Sequence, residues 1–290
     1  MPWYILPLIA GLLLSLATIF EKKVLVDEHA TEFSTIFALF NVALSIPFLI
    51  FVNFSDFTLG IVLMIYVASV IGTSSFILFA KSNRHMEISS SSPWLMLTPG
   101  ISTIVAYIFL GETLSTFQVV GLVIMTIGLY ILLSHKHASI FDPLREVIKS
   151  KYLHFLIINL VLYSFGVLID RIVLGRYGVS VLSYLFLFHV FTAINFLFIS
   201  FVFYDGFKGI QSGIKKYGWW ILLSSVLTVG CRFAMSVSIS TTLVGLALSM
   251  KRLSSLFTVI IGGELFHEKN IGRKIIACVI MFVGILLIFQ

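Results

Sequence analysis

Val123-Ile124-Met125-Thr126-Ile127-Gly128-Leu129 returns later in the chain as Val279-Ile280-Met281-Phe282-Val283-Gly284-Ile285. The match extends backwards at the same offset, from Leu110-Gly111-Glu112-Thr113 to Phe266-His267-Glu268-Lys269, so Glu112 pairs with Glu268, Met125 with Met281 and Gly128 with Gly284. Near the start of each half, Phe20-Glu21-Lys22 pairs with Ile169-Asp170-Arg171, and Leu25 with Leu174. An internal repeat of this extent divides the 290-residue chain into two similar halves.

What each half contains follows from composition. Residues are 59% hydrophobic and only 11% charged, with 28 Phe, and mean hydropathy is +1.09, values of a polytopic membrane protein. Apolar runs recur at 3–20, 33–52, 57–80, 90–110, 117–133, 153–169, 181–203, 219–240, 243–262 and 272–289. Each is long enough to cross about 30 Å of hydrocarbon as a helix. The fold expected is therefore all-α and polytopic, with about ten transmembrane helices as two inverted five-helix repeats, because an odd number of spans inserts the second half upside down. The expected organisation is 1–133 for the first repeat, 134–151 for a basic linker and 152–290 for the second. A binding site then belongs near the midplane between the halves. Met1 to Phe20 lacks a charged leader region and a cleavage site and is read as the first span. Cys231 and Cys278 both fall inside spans and give neither a disulfide framework nor a metal pattern.

The net charge of +6 is distributed by topology rather than in a nucleic-acid-binding patch. Loops after odd-numbered spans carry Lys22, Lys23, Lys81, Arg84, Lys136, Arg145, Lys149, Lys151, Lys208, Lys215, Lys216, Lys269, Arg273 and Lys274; those after even-numbered spans carry Arg171 and Arg176. The positive-inside rule makes the first set cytoplasmic and puts both termini on the far side of the cell inner membrane. In the linker, Asp142-Pro143 reads as a helix start, and the cations after it read as contacts with anionic lipid headgroups. His135-Lys136-His137 has no third ligand nearby, so no metal or other cofactor is expected.

Arg232, Lys251 and Arg252 remain, and these lie within spans. A cation at the bilayer centre costs about 2.5–3.5 kcal/mol on insertion scales, so something must compensate it. In the first half the corresponding positions are Phe76, Leu95 and Met96, which makes the basic cluster a specialisation of the second half. Lys251 and Arg252 are about 100° apart on a helix and can share one broad cavity, with Ser255 a turn further on. The competing reading pairs these cations with Glu264 or Asp170. Asn159, Tyr163, Gly166 and Asp170 form one polar face of the sixth helix, and Gly11, Ser15, Thr18 and Lys22 one of the first. His189 is a candidate coupling group, with a hydrogen bond to a neighbouring Ser or Thr as the plainer reading. Pro99 should kink the fourth helix and could mark a gate, and Trp94 sits where it could stack on a flat substrate or anchor at the interface. Gly121 and Gly128, with Ala277 and Gly284 opposite, read as close-packing positions.

The fourth helix ending in Phe109-Leu110-Gly111-Glu112, then Gln118 and a fifth helix punctuated by Gly and Met, repeated once, resembles the EamA-type family of the drug/metabolite transporter superfamily. His267 replaces the glycine in the second copy. The ninth-helix Lys251-Arg252 pair also resembles that of organic-phosphate and nucleotide-sugar translocators, in which basic residues at this helix bind the anionic group of the substrate. The resemblance implies a secondary transporter, an antiporter working by alternating access on a small anionic metabolite, phosphorylated or carboxylated. Enzyme motifs are absent. The expected substrate contacts are Lys251, Arg252, Arg232, Ser255, Tyr163 and Trp94, with His189, Asp170, Lys22 and Pro99 in coupling or gating. Expected partners are the metabolite and membrane lipids, without nucleic acid, and a homodimer is allowed. Three other readings stand beside this one: an exporter of amino acids or other zwitterions, a flippase for an anionic lipid headgroup, and an accessory membrane subunit.

Overall fold

A computed structural model describes residues 4–110, 115–133, 148–204, 206–241 and 250–288. Long helices account for most of these. In chain order they are α1 (Ile5–Leu25), α2 (Ala30–Ser45), α3 (Leu59–His85), α5 (Thr116–Leu133), α6 (Lys151–Arg171), α7 (Val181–Phe203), α8 (Phe207–Thr241) and α10 (Ile271–Ile288). Between them lie two broken elements. α4 is assembled from Ile88–Ser91, a 3-10 turn Ser92–Leu97 and Thr98–Leu110, and α9 from Leu253–Phe257, a π turn Thr258–Gly262 and Gly263–Leu265.

Eight helices among the described residues are long and apolar enough to cross a membrane, and the chain is a multi-pass helical membrane protein. Of the ten expected spans, the fourth and the ninth run as broken helices among the described residues. In α4, Pro93 and Pro99 each lack the N–H that continues a helix, and the backbone between them tightens into 3-10 geometry. In α9, a π turn ends at Gly262-Gly263, where a helix is cheap to distort. α8 begins at Phe207, well before the apolar run at 219, because Lys208, Lys215 and Lys216 continue a helix outside hydrocarbon as readily as within it. The linker with Asp142-Pro143 and His135-Lys136-His137, and the Gly111-Glu112 motif, lie outside the described residues.

Helix starts are set by local sequence. Thr58 Oγ1 accepts from Ile61 N–H and Ser150 Oγ from Leu153 N–H, both at 3.4 Å. At α5, Ser115 Oγ accepts from Gln118 N–H at 3.2 Å while Gln118 Oε1 accepts from Ser115 N–H at 2.9 Å, a reciprocal capping box.

Packing follows an exchange of α1–α5 with α6–α10. α1 packs on α8 as α6 packs on α3, α2 on α8 as α7 on α3, and α1 on α9 as α6 on α4; α2 meets α7, and α5 meets α10. The α5–α10 contact is a backbone seam: a Cβ on Gly121 would sit 2.6 Å from the Gly284 carbonyl oxygen, and one on Gly284 2.7 Å from that of Gly121. Met125, Met281 and Ile285 seal it on the buried side.

Candidate functional site

A cavity of about 190 Å³ lies where the two sets of helices meet. Its walls preserve the repeat: Leu14 and Tyr163, Glu21 and Asp170, Phe76 and Arg232, and Leu95 and Lys251 are corresponding positions, and all eight line it. The second set thus places a phenol, a guanidinium and an ammonium where the first has Leu, Phe and Leu.

The basic cluster is held by aromatic groups. Lys251 Nζ donates to Tyr163 Oη at 3.2 Å, the Arg252 guanidinium lies 5.2 Å from the centroid of the same ring, and Arg232 lies 4.2 Å from that of Phe188. Lys251 is 8% exposed and Arg252 2%. Nε and Nη2 of Arg252 are buried without a hydrogen-bond partner. No ion pair among the described residues involves Lys251, Arg252 or Arg232. Glu264, one sequence candidate for such a pair, is exposed on the last helical piece of α9. Asp170, the other, accepts a hydrogen bond from Tyr184 Oη. Glu21 carboxylate accepts from Ser224 Oγ at 3.4 Å. Asn159, Tyr163, Gly166 and Asp170, the polar face of α6, all line the cavity, whereas on α1 only Thr18 of the expected face does. Ser15 instead accepts from Thr258 Oγ1 at 3.1 Å, and a Cβ on Gly11 would lie 3.0 Å from the Lys251 carbonyl oxygen.

Several expected site residues lie elsewhere. Trp94 is buried in an apolar cluster with Leu132, Leu156 and Leu160, away from the cavity; Pro93 turns the chain there, and the indole fills the space against α6. Ser255 Oγ donates to the Ser92 carbonyl at 2.9 Å, tying α9 to the 3-10 turn of α4. His189 is buried outside the cavity wall, with Nδ1 2.6 Å from Ser45 Oγ. Pro99 sits in the first turn of the long piece of α4, just past the 3-10 turn. Lys22 donates to the carbonyls of Asn83, Met86 and Arg84 at 2.5, 2.7 and 3.4 Å, so it holds the α3–α4 turn rather than the cavity.

That turn is clamped from its other side as well. Glu268 accepts from the N–H groups of Ile88 and Ser89 at 2.6 and 2.9 Å and from Ser89 Oγ. Buried Lys274 reaches Glu87 and Ser89 Oγ, each at 2.6 Å, and lies 3.7 Å from Glu268. Sequence reasoning missed Lys274, which reads as one more loop cation. It also left Glu21 out of the site, although Glu21 is the repeat partner of Asp170 and could have been found that way.

Residues 1–134 match the model of the EamA-like transporter family, the family that the sequence resembles. Its members are transporters rather than enzymes. No curated protein matches the chain. A solved structure titled only "Crystal structure of protein" superposes with a TM-score of 0.67 at 13% identity, covering 98% of this chain and 95% of its own, and so shares the fold.

Proposed function

Since residues 1–134 match a family of membrane transporters of small molecules, we propose that this chain carries a small anionic metabolite by alternating access between inverted repeats 1–133 and 152–290. One observation carries the reading. Arg252 is buried with two unpaired nitrogens beside Lys251, on a cavity wall that also holds Arg232, and an anion is the partner these groups lack. Leaving them unpaired costs about 1–3 kcal/mol each, more for charged groups. A phosphate or carboxylate supplies charge-assisted acceptors to the fork of an arginine. At about 190 Å³ the cavity is smaller than the roughly 300–1,000 Å³ of drug-sized pockets, which favours a metabolite of a few carbons over a sugar nucleotide or a lipid headgroup with its chains.

In this mechanism the substrate offsets the cost of the empty basic site, and the Lys22–Glu268–Lys274 clamp closes one end. The positive-inside reading makes that end cytoplasmic. Exchange of labelled substrate against unlabelled is then expected to outpace net efflux in proteoliposomes. Equal rates with and without substrate on the far side would contradict it.

A second reading draws on Glu21 and Asp170, which put two carboxyl groups in the same cavity and favour a substrate that also carries an amino group. Both are tested by the thermal stability of purified protein against small carboxylates, organic phosphates and amino acids, with Lys251→Gln and Arg252→Gln alongside. Anions alone should stabilise the wild type, and both variants should lose the response. A response confined to amino acids selects the second reading. Responses retained in both variants would remove the basic pair from the site.

A further inference from the structure

Outside the transport cavity, a second pocket of about 240 Å³ opens at the end of the bundle where α3 finishes and α2 and α6 begin. Its walls hold Lys81 and Arg84 of α3, Lys151 of α6, His29 and His85, and no acidic residue among the described residues. None of the three cations is in an ion pair among the described residues. The nearest acids in sequence to His29 are turned away: Asp27 accepts from Tyr217 Oη at 2.5 Å, and Glu28 lies 3.5 Å from Lys216. Arg84 is oriented by His29, Nη1 to Nδ1 at 3.0 Å, and His85 stacks on Tyr152 at 4.5 Å.

The floor of this pocket is the first turn of α2 at Ala30 and Thr31, both buried. His29 enters the helix with extended backbone and no side-chain cap, so the first N–H groups have no acceptor from their own N-cap. At α7, which takes the same place in the other five helices, the chain supplies the acceptors itself. Ser180 Oγ accepts from Ser183 N–H and Asp56 carboxylate from Ser180 N–H, both at 3.2 Å. The α7 start thus has a carboxylate from another segment on its cap, whereas at the α2 start the first-turn acid Glu32 lies against Gly209 of α8 and the pocket presents three cations that are in no ion pair among the described residues.

We propose that this pocket binds a phosphate group of an anionic ligand. Helix N–H groups and converging cations are the arrangement that phosphate oxygens satisfy, and a mouth at the ends of membrane-length helices is where lipid headgroups are expected. The phosphate can belong to a lipid or to a soluble ion, and one experiment separates them. The full chain, stripped of lipid in detergent, is assayed for thermal stability with phosphatidylglycerol, with phosphatidylcholine, with inorganic phosphate, and with chloride at matched ionic strength. Stabilisation by phosphatidylglycerol but not phosphatidylcholine identifies the lipid source; stabilisation by inorganic phosphate beyond chloride identifies the soluble one. Lys81→Gln with Lys151→Gln should weaken the apparent affinity roughly 30-fold, and exposed Lys151→Gln alone about 5-fold if the double variant does not fold. Arg252→Gln, in the other cavity, should leave the response intact, so failure here is distinct from failure of the transport reading. No response beyond chloride and phosphatidylcholine, or a response that survives both lysine substitutions, overturns the proposal.

Discussion

Replacing Arg252 with Met should make the empty protein more stable while abolishing its response to anions. The guanidinium is 2% exposed, with Nε and Nη2 unpaired. Two buried donors without acceptors cost about 1–3 kcal/mol each, roughly 4 kcal/mol at mid-range. Against that stands the contact with Tyr163 at 5.2 Å, a cation–π interaction of about 0.5–2 kcal/mol. Methionine is unbranched and keeps most of the arginine stem, so the cavity left is small. The balance is a gain of about 3 kcal/mol, roughly a hundredfold in the folding equilibrium. Reversible unfolding in mixed micelles, followed by near-ultraviolet circular dichroism, measures it, and a ligand titration of the same sample measures the loss of binding. A variant destabilised by 1 kcal/mol or more would mean that Arg252 is held by something other than the ring, and the argument for an absent anionic partner would fall with it.

Glu268→Gln leaves the geometry of its caps but removes the charge from bonds worth about 1.5–3 kcal/mol. Amide exchange at Ile88 and Ser89 should accelerate about 10- to 100-fold, with the cavity ligands unaffected; unchanged protection would remove Glu268 from the clamp. Gly121→Ala should cost about 1–3 kcal/mol because its methyl meets a backbone carbonyl at 2.6 Å, whereas Gly60→Ala, with nothing within 4 Å, should be neutral or slightly stabilising in the same thermal assay. Trp94→Phe removes an indole N–H that has no acceptor and should leave ligand affinity within twofold. A larger loss of affinity would return Trp94 to the site.

The helical class and the basic residues were legible because each leaves a one-dimensional mark: apolar run length for the spans, and charges inside a run for Arg232, Lys251 and Arg252. Periodicity also brought the polar face of α6 together, since Asn159, Tyr163, Gly166 and Asp170 recur at helical spacing. What was not legible depends on how segments meet. Trp94 was expected to stack on a substrate or to anchor at the interface, and Ser255 to extend the cavity face on helical geometry, but α4 runs as a 3-10 turn at Trp94, and Ser255 is taken up by the Ser92 carbonyl. Lys22 and Lys274 look alike in sequence, as cations flanking a span. Only their convergence on the α3–α4 turn distinguishes them from solvated loop charges.

The Gly121–Gly284 seam has a practical consequence for measuring how this protein moves. Two backbones in direct contact have no side chain between them that could change rotamer, so the interval across the seam is expected to be the same in every state. Spin labels on the outward faces of α5 and α10, at Val123 and Val279 for instance, then give an internal ruler. Distances measured from that baseline to α4 and α9, whose helices are broken within the span, should carry most of the conformational signal.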